Sequence, residues 1–132
     1  MRRGLRIEGA GLMKKILVVD DSVPALTLAR GILRDEYEVF VVTSGKEALA
    51  FLEKQRPDAI LMDFYMPDMD GLETLENMCK IEGFDIPVIM ISSVSTKPLE
   101  KRCSELGAVT ILLKPFKPDD LKECLAKVLA SK

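Results

Sequence analysis

The sequence predicts an α/β fold in which helices cover both faces of a parallel β-sheet. From Lys15 onward, short apolar runs alternate with amphipathic stretches, which is the rhythm of repeated βα units. Most runs are apolar at successive rather than alternate positions, as expected for strands that are buried on both faces. The chain has 132 residues, of which 48% are apolar and 30% are charged, so it suits one soluble globular domain.

Two βα units are predicted in the first part of the chain. The first strand spans residues 15–19, and Ser22 can cap the helix that follows it. The inward face of this first helix shows helical spacing and consists of Ala25, Leu28, Ala29, Ile32 and Leu33. The second strand spans residues 39–42, and Ser44 with Glu47 has the spacing of a capping box, which predicts the start of the second helix.

Three further units complete the predicted sheet of five strands. The third strand begins after Pro57-Asp58, the fourth after Pro87, and the fifth spans residues 109–113. Gly107 ends the fourth helix, and the acidic pair at 119–120 suits the start of the fifth. Apolar residues at helical spacing are Leu72, Leu75, Met78 and Cys79 in the third helix, Leu99, Cys103 and Leu106 in the fourth, and Leu121, Cys124, Leu125 and Val128 in the fifth.

The composition excludes several kinds of chemistry. The chain contains no histidine, which removes histidine metal ligands, serine–histidine triads and imidazole bases. Its 19 basic and 21 acidic residues give a net charge of −2, which argues against a broad nucleic-acid surface. The three cysteines are far apart and form no C-x-x-C pair, so neither a disulfide framework nor a zinc site is expected. The chemistry must therefore use carboxylates, hydroxyls and lysine.

The first twelve residues predict a flexible N-terminal extension, and residues 13–132 predict the folded domain. This segment lacks the continuous apolar stretch of a secretory signal, and no apolar run approaches the roughly 20 residues of a membrane span. We therefore expect a cytoplasmic protein that does not associate with membranes. Because the chain stops just after the fifth predicted helix, no output domain is expected.

Four apolar runs end in polar residues of complementary chemistry. They are followed by Asp20-Asp21, Asp63, Ser92 and Lys114, and the carboxyl ends of parallel strands meet at one edge of a sheet. Clustered carboxylates are costly without a cation, and Mg²⁺ prefers such oxygen ligands. We predict that Asp21 and Asp63 ligate the ion directly and that Asp20 holds a metal-bound water.

The same edge of the sheet predicts phosphoryl transfer. A carboxylate can attack phosphorus to form an acyl phosphate, so Asp63 is the expected nucleophile. The ammonium group of Lys114 would neutralise the phosphoryl oxygens, and the Ser92 hydroxyl would donate a hydrogen bond to one of them. Because the product adds charge and three strong acceptors, Ser92 and Lys114 can be drawn inward, and the site would act as a switch.

These motifs, taken in order, resemble the receiver domain of two-component response regulators, specifically the single-domain, chemotaxis-like type. The resemblance covers residues 14–130. It rests on Asp20-Asp21-Ser22, on Asp63 with Met66-Pro67-Asp68-Met69-Asp70-Gly71, on Ser92, on Gly107-Ala108 and on Lys114-Pro115-Phe116.

The resemblance implies more than the residues do by themselves. It implies a flavodoxin-like sheet of order 2-1-3-4-5, a cis peptide at Lys114-Pro115, and a metal site for Mg²⁺ or Mn²⁺ that the backbone carbonyl of Tyr65 completes. It also implies that a histidine kinase or histidine phosphotransferase donates the phosphoryl group. The face formed by the fourth helix, fifth strand and fifth helix would then bind a downstream effector protein. Such a domain assists its own phosphorylation and dephosphorylation but is not otherwise an enzyme.

Three departures from the usual pattern of this family involve four residues. Ser92 stands where threonine is also common, so the hydroxyl is kept. Ile111 occupies the place of an aromatic residue that rotates in many relatives, so the output must travel by backbone or aliphatic repacking. By family analogy, Tyr65 and Val94 flank the path of the attacking water. Tyr65 is bulky, and Val94 is apolar and cannot orient a water molecule, which predicts slow loss of phosphate.

Three alternative functions fit the sequence less well. A haloacid-dehalogenase-like phosphatase would require an acidic residue where Tyr65 stands. A flavodoxin-like FMN carrier would require a hydroxyl- and glycine-rich loop after the first strand, where the chain has Asp20-Asp21. A pseudo-receiver that binds partners without phosphorylation would not need the acidic pair, Asp63 and Lys114 together.

Overall fold

The computed structural model describes residues 13–131, and five strands alternate with five helices along this part of the chain. The expected extension at residues 1–12 lies outside the described residues. The elements in order are β1 (Lys14–Val19), α1 (Val23–Leu33), β2 (Tyr37–Val42), α2 (Gly45–Leu52), β3 (Ala59–Asp63), α3 (Gly71–Cys79), β4 (Val88–Ser92), α4 (Lys97–Glu105), β5 (Thr110–Leu113) and α5 (Pro118–Ala130).

The five strands form one parallel sheet of order β2-β1-β3-β4-β5. This confirms the predicted fold class and strand order. In the register of the sheet, Val19 at the end of β1 lies beside Met62 of β3, and Asp63 lies beside Ile91 of β4. The carboxyl ends of the central strands therefore lie level with one another at one edge.

The sheet separates two hydrophobic cores. Alternate residues of β1 and β3 point to opposite faces, which is why Val18 and Leu61 belong to one core while Val19 and Met62 belong to the other. Helices α1 and α5 cover the first core, and α2, α3 and α4 cover the second. Burial on both faces explains the continuous apolar runs of the central strands.

Polar side chains cap the helices and so fix where the loops near the sheet edge turn. The side chains of Ser22, Ser44, Asp70 and Thr96 each accept a hydrogen bond from a backbone N–H in the first turn of the next helix. In α2, the cap by Ser44 agrees with the prediction. The carboxylate of Glu47, however, accepts from the backbone N–H of Thr43 at 2.7 Å, one residue earlier than in a capping box.

Three local expectations from the sequence are wrong. Strand β2 begins at Tyr37, two residues before the predicted start. Leu28, expected inside, is 62% exposed, whereas Leu26 is only 4% exposed. The buried residues of α1 are Leu26, Ala29 and Leu33, and Leu28 lies on the opposite side of the helix from Leu26. Cys79 is exposed, and its thiol donates to the carbonyl of Leu106 at 3.1 Å.

Within residues 13–131, no helix has the length and hydropathy that crossing a bilayer requires.

Candidate functional site

Three carboxylates meet at the carboxyl edge of the sheet. Asp20 directly follows β1, Asp21 comes next, and Asp63 is the last residue of β3. One carboxylate oxygen from each of the three lies within 4.8 Å of the others. Asp20 and Asp63 are 7% and 5% exposed, whereas Asp21 is exposed to solvent. The cluster is therefore buried on the protein side and open on the other.

Lys114 brings a cation to this cluster from the end of β5. Its Nζ lies 2.7 Å from Oδ1 of Asp63 and 3.8 Å from Oδ2 of Asp20. The backbone of Lys114 is fixed on the sheet because its N–H donates to the carbonyl of Ser92 at 2.8 Å. The next peptide bond, Lys114–Pro115, is cis, as the resemblance implied.

Burial and charge act on the ionisable groups in opposite directions. Burial raises the pKa of Asp20, the N–H of Ser22 opposes this by donating to its carboxylate, and the charge of Asp63 adds to the rise. Burial by itself would lower the pKa of Lys114, but its hydrogen bond to Asp63 and the nearby carboxylates outweigh burial and raise it. The ammonium group offsets one of the three negative charges, so the cluster favours a further cation.

Ser92 ends β4 beside the acidic cluster. The residue is buried, and its hydroxyl donates to the carbonyl of Val94 at 2.7 Å and accepts from the N–H of Val94 at 3.1 Å. It lines a cleft of about 520 Å³ whose walls are formed by Asp63, Phe64, Tyr65, Ser92, Ser93, Val94 and Lys114. The cleft gives solvent and small molecules access to the carboxylate of Asp63.

Tyr65 also lines the cleft, and the loop of residues 66–70 follows it along the chain. Tyr65 is 81% exposed, and its ring stacks on Phe64 with 6.1 Å between the ring centroids. Asp68 lies on this loop with φ 69°, and Asp70 caps α3 by accepting from the N–H of Glu73 at 2.8 Å. Neither belongs to the group of three carboxylates found among the described residues. Asp70 is therefore the cap of α3, and Asp68 is a loop residue outside the carboxylate cluster.

The sequence reasoning did not single out two residues of the cleft, Phe64 and Ser93. Phe64 directly follows Asp63, and Ser93 directly follows Ser92, and both preceding residues were predicted at the site. Position just after a strand end is therefore the one feature of the sequence that could have indicated them. Chain position does not say whether a loop residue turns toward the cleft or away from it.

The donor set fits a hard divalent cation. Every candidate side-chain ligand is a carboxylate, which suits Mg²⁺ better than a soft metal. Two ligands of one Mg²⁺ ion lie at most about 4.2 Å apart, twice the usual ligand distance of about 2.1 Å. The spacing of the three carboxylates allows them to share an ion directly or through a bound water.

Comparison with known proteins adds independent observations. A family model described as "Response regulator receiver domain" matches residues 16–126. Sporulation initiation phosphotransferase F of Bacillus subtilis (strain 168) is 35% identical over 120 residues, which cover 90% of this chain and 96% of that protein. Another curated relative is a longer response regulator, and this chain spans 33% of its length.

Solved structures of similar chains have the same fold. The chemotaxis protein CheY4 of Vibrio cholerae is 33% identical and superposes with a TM-score of 0.84, covering 88% of this chain and 98% of that one. The receiver domain of sensor histidine kinase PA1611 from Pseudomonas aeruginosa PAO1 is 30% identical with a TM-score of 0.81, covering 89% of this chain and 98% of that one. That structure has a magnesium ion coordinated in its active-site cleft.

Proposed function

We propose, from the premise that the chain belongs to the response regulator receiver domain family, that Asp63 accepts a phosphoryl group and thereby switches the domain. The donor would be the phosphohistidine of a histidine kinase or histidine phosphotransferase. The observation that carries the proposal is the 2.7 Å contact between Lys114 Nζ and Asp63 Oδ1 beside two further carboxylates. This arrangement places a nucleophile and a permanent cation in one accessible cleft.

The chemistry requires one bond to form and one to break. The free carboxylate oxygen of Asp63 attacks phosphorus, and the phosphorus–nitrogen bond of the donor breaks. The bonding electron pair goes to the leaving imidazole. The product is an acyl phosphate on Asp63. Lys114 already contacts the other Asp63 oxygen, so its ammonium group is close enough to neutralise a phosphoryl oxygen after a small movement.

A bound Mg²⁺ or Mn²⁺ ion would supply the remaining positive charge. We propose Asp21 and Asp63 as direct ligands, the backbone carbonyl of Tyr65 as a third, and Asp20 as the residue that holds a metal-bound water. The burial of Asp20 and Asp63, together with the magnesium ion in the similar Pseudomonas structure, supports this assignment.

The switch would begin at Ser92. Its hydroxyl donates to Val94 at rest, and donation to a phosphoryl oxygen requires that bond to be released. The change would pass to the face formed by α4, β5 and α5, where a downstream effector protein binds. Ile111 on β5 is aliphatic, so repacking rather than rotation of an aromatic ring would carry the signal. The domain would assist its own phosphorylation and dephosphorylation without acting on a separate substrate.

Phosphorylation with a small donor tests the proposal directly. The protein is incubated with Mg²⁺ and acetyl phosphate or phosphoramidate, and intact mass measures the addition of one phosphoryl group. Asp63→Asn and an excess of EDTA should each abolish the addition. Asp68→Asn is the matched control, because it removes a carboxylate from the neighbouring loop at a φ of 69° that asparagine tolerates.

Two results would contradict the proposal. Labelling that persists in the Asp63→Asn variant would mean that another residue is the nucleophile. A native protein that binds Mg²⁺ but takes up no phosphoryl group from any donor would favour the alternative of a phosphorylation-independent pseudo-receiver.

A further inference from the structure

The first residue of α3 lies directly against the backbone of Asp63. The N–H of Gly71 donates to the carbonyl of Phe64 at 2.8 Å. A Cβ atom built on Gly71 would lie 2.6 Å from the carbonyl oxygen of Asp63, 2.8 Å from Cε of Met90 and 2.9 Å from Cα of Phe64. Two of these three neighbours are backbone atoms, which cannot rotate away as a flexible side chain can.

We propose that Gly71 is a positioning residue for phosphoryl transfer at Asp63. Its lack of a side chain lets α3 begin in contact with the Asp63–Phe64 backbone, and that contact holds the Asp63 carboxylate at its distance from Lys114. The same contact sets the course of the chain into Tyr65. The inference rests on the proposed function, because it assigns a role within that site.

The opposite side of this segment is already fixed. Asp63 pairs with Ile91 in the parallel ladder, and the N–H of Phe64 donates to the Ile91 carbonyl at 2.8 Å. The end of β3 is therefore held between β4 and the start of α3. A methyl group on Gly71 can be accommodated only if α3 moves outward or if Asp63 and Phe64 shift.

A shift of Asp63 would be costly for function. Metal coordination and in-line attack require the reacting groups to stay within about 0.5 Å of their working positions. Lys114 approaches Asp63 from the residue directly after β5, a different strand, so it would not follow such a shift. An outward movement of α3, by contrast, would cost stability but leave the cleft unchanged. A shift of Asp63 would therefore lower Mg²⁺ affinity and the phosphorylation rate, whereas a movement of α3 would lower only the stability.

The test compares Gly71→Ala with Gly45→Ala. Gly45 is also buried at a helix start, and a Cβ built there would clash with Oγ1 of Thr74; its three nearest atoms belong to Thr74 and Met69 and not to the Asp63 backbone. Both variants should unfold at lower temperature than the native protein. We expect only Gly71→Ala to weaken Mg²⁺ binding and to slow phosphorylation by acetyl phosphate, each by about tenfold. Gly45→Ala should leave both within about twofold of the native values.

Three measurements at a temperature where both variants are folded separate the outcomes. Calorimetric titration gives the Mg²⁺ affinity, intact mass gives the phosphorylation rate, and amide chemical shifts of the metal-free protein report on Phe64 and Ile91. If Gly71→Ala binds Mg²⁺ as tightly as Gly45→Ala does, the inference is wrong and α3 has moved instead. If the native protein neither binds Mg²⁺ nor accepts a phosphoryl group, the proposed function fails first.

A stabilising substitution separates the loss of Mg²⁺ affinity from partial unfolding of the Gly71→Ala variant. Gly31 is exposed on α1, and a Cβ built there has nothing within 4 Å, so Gly31→Ala should stabilise the domain without touching the cleft. Gly71→Ala in this background should show the same loss of Mg²⁺ affinity. Recovery of the affinity along with the stability would overturn the positioning role.

Discussion

The ammonium nitrogen of Lys114 lies 2.7 Å from one oxygen of Asp63 and shares the cluster with Asp20 and Asp21. One side chain thus partly neutralises the carboxylates before any metal binds. A divalent cation entering the cluster experiences repulsion from this ammonium group and attraction to three carboxylates. The affinity for Mg²⁺ and the rate of phosphoryl transfer should therefore depend on Lys114 in opposite ways.

Replacement of Lys114 by glutamine tests this opposition. The Lys114→Gln variant should bind Mg²⁺ about tenfold more tightly at low ionic strength, because a neighbouring positive charge is gone. It should accept phosphate from acetyl phosphate at least about tenfold more slowly, because a cation that offsets phosphoryl charge is lost. Lys117→Gln, at an exposed position before α5, is the charge-matched control. Weaker Mg²⁺ binding in Lys114→Gln would contradict the assigned electrostatics.

The cleft walls predict slow loss of phosphate from Asp63. Tyr65 and Val94 are 81% and 55% exposed, and both line the cleft around Asp63. An apolar residue at 94 cannot orient an attacking water, and the bulky side chain at 65 offers no carboxylate or amide to do so. A Tyr65→Asn, Val94→Glu double variant should lose its phosphoryl group about tenfold faster. The decay is followed by intact mass after removal of the donor, with Tyr65→Phe as the control that keeps the ring. Equal decay in the double variant and the parent would count against this role.

The acid stability of the domain should depend on Glu47. The backbone N–H of Thr43, and then its hydroxyl, donate to this carboxylate and lower its pKa below the ordinary value of 4.5. Because the pKa of Glu47 is lower in the folded state than in the unfolded state, the group stabilises the fold at pH values above about 4.5. That stabilisation is lost as the pH falls through the pKa of the folded state.

Glu47→Gln should therefore flatten the fall in stability below about pH 4.5 and should cost at most about 1 kcal/mol at neutral pH, because the group is exposed. Urea unfolding at several pH values measures this, and Glu53→Gln at the far end of α2 is the control. An unchanged pH profile in Glu47→Gln would show that the Thr43 contact contributes nothing.

Two glycines should respond to alanine with opposite signs. Gly31 lies within α1, where the unfolded chain gains freedom from glycine, so Gly31→Ala should stabilise the domain by about 0.5–1 kcal/mol. Gly107 follows α4 with φ +87°, a conformation that a Cβ atom disfavours, so Gly107→Ala should destabilise by about 1 kcal/mol. Thermal unfolding should show a rise and a fall of a few degrees respectively. A shift of the same sign in both variants would refute the backbone explanation.

The position of the candidate site followed from the sequence because strand ends are predictable. Apolar runs that stop at Asp20 and at Asp63 fix both residues at the carboxyl edge once the strands are parallel, whatever the details of the loops. Lys114 could be predicted at the same edge for the same reason.

The buried face of α1 and the contacts of the loops around the site could not be predicted, because they depend on residues that are distant in the sequence. The apolar residues of α1 lie on more than one side of the helix, and packing against β1 and α5 selected the face with Leu26 rather than the opposite one with Leu28. The partners of the Ser92 hydroxyl and the close approach of Gly71 to Asp63 depend on loop geometry. Such geometry is set by the assembled sheet and not by any local pattern.

The two hydrogen bonds of the Ser92 hydroxyl have a thermodynamic consequence. Both bonds join the hydroxyl to the backbone of Val94, so turning the hydroxyl toward the cleft would break both of them. At about 0.5–1.5 kcal/mol net for each bond, the outward rotamer would be favoured by roughly 1–3 kcal/mol. Before any phosphoryl group arrives, about one molecule in six to one in 160 would then already hold the inward rotamer. In that fraction of molecules the hydroxyl would be ready to donate to a phosphoryl oxygen without first losing its bonds to Val94.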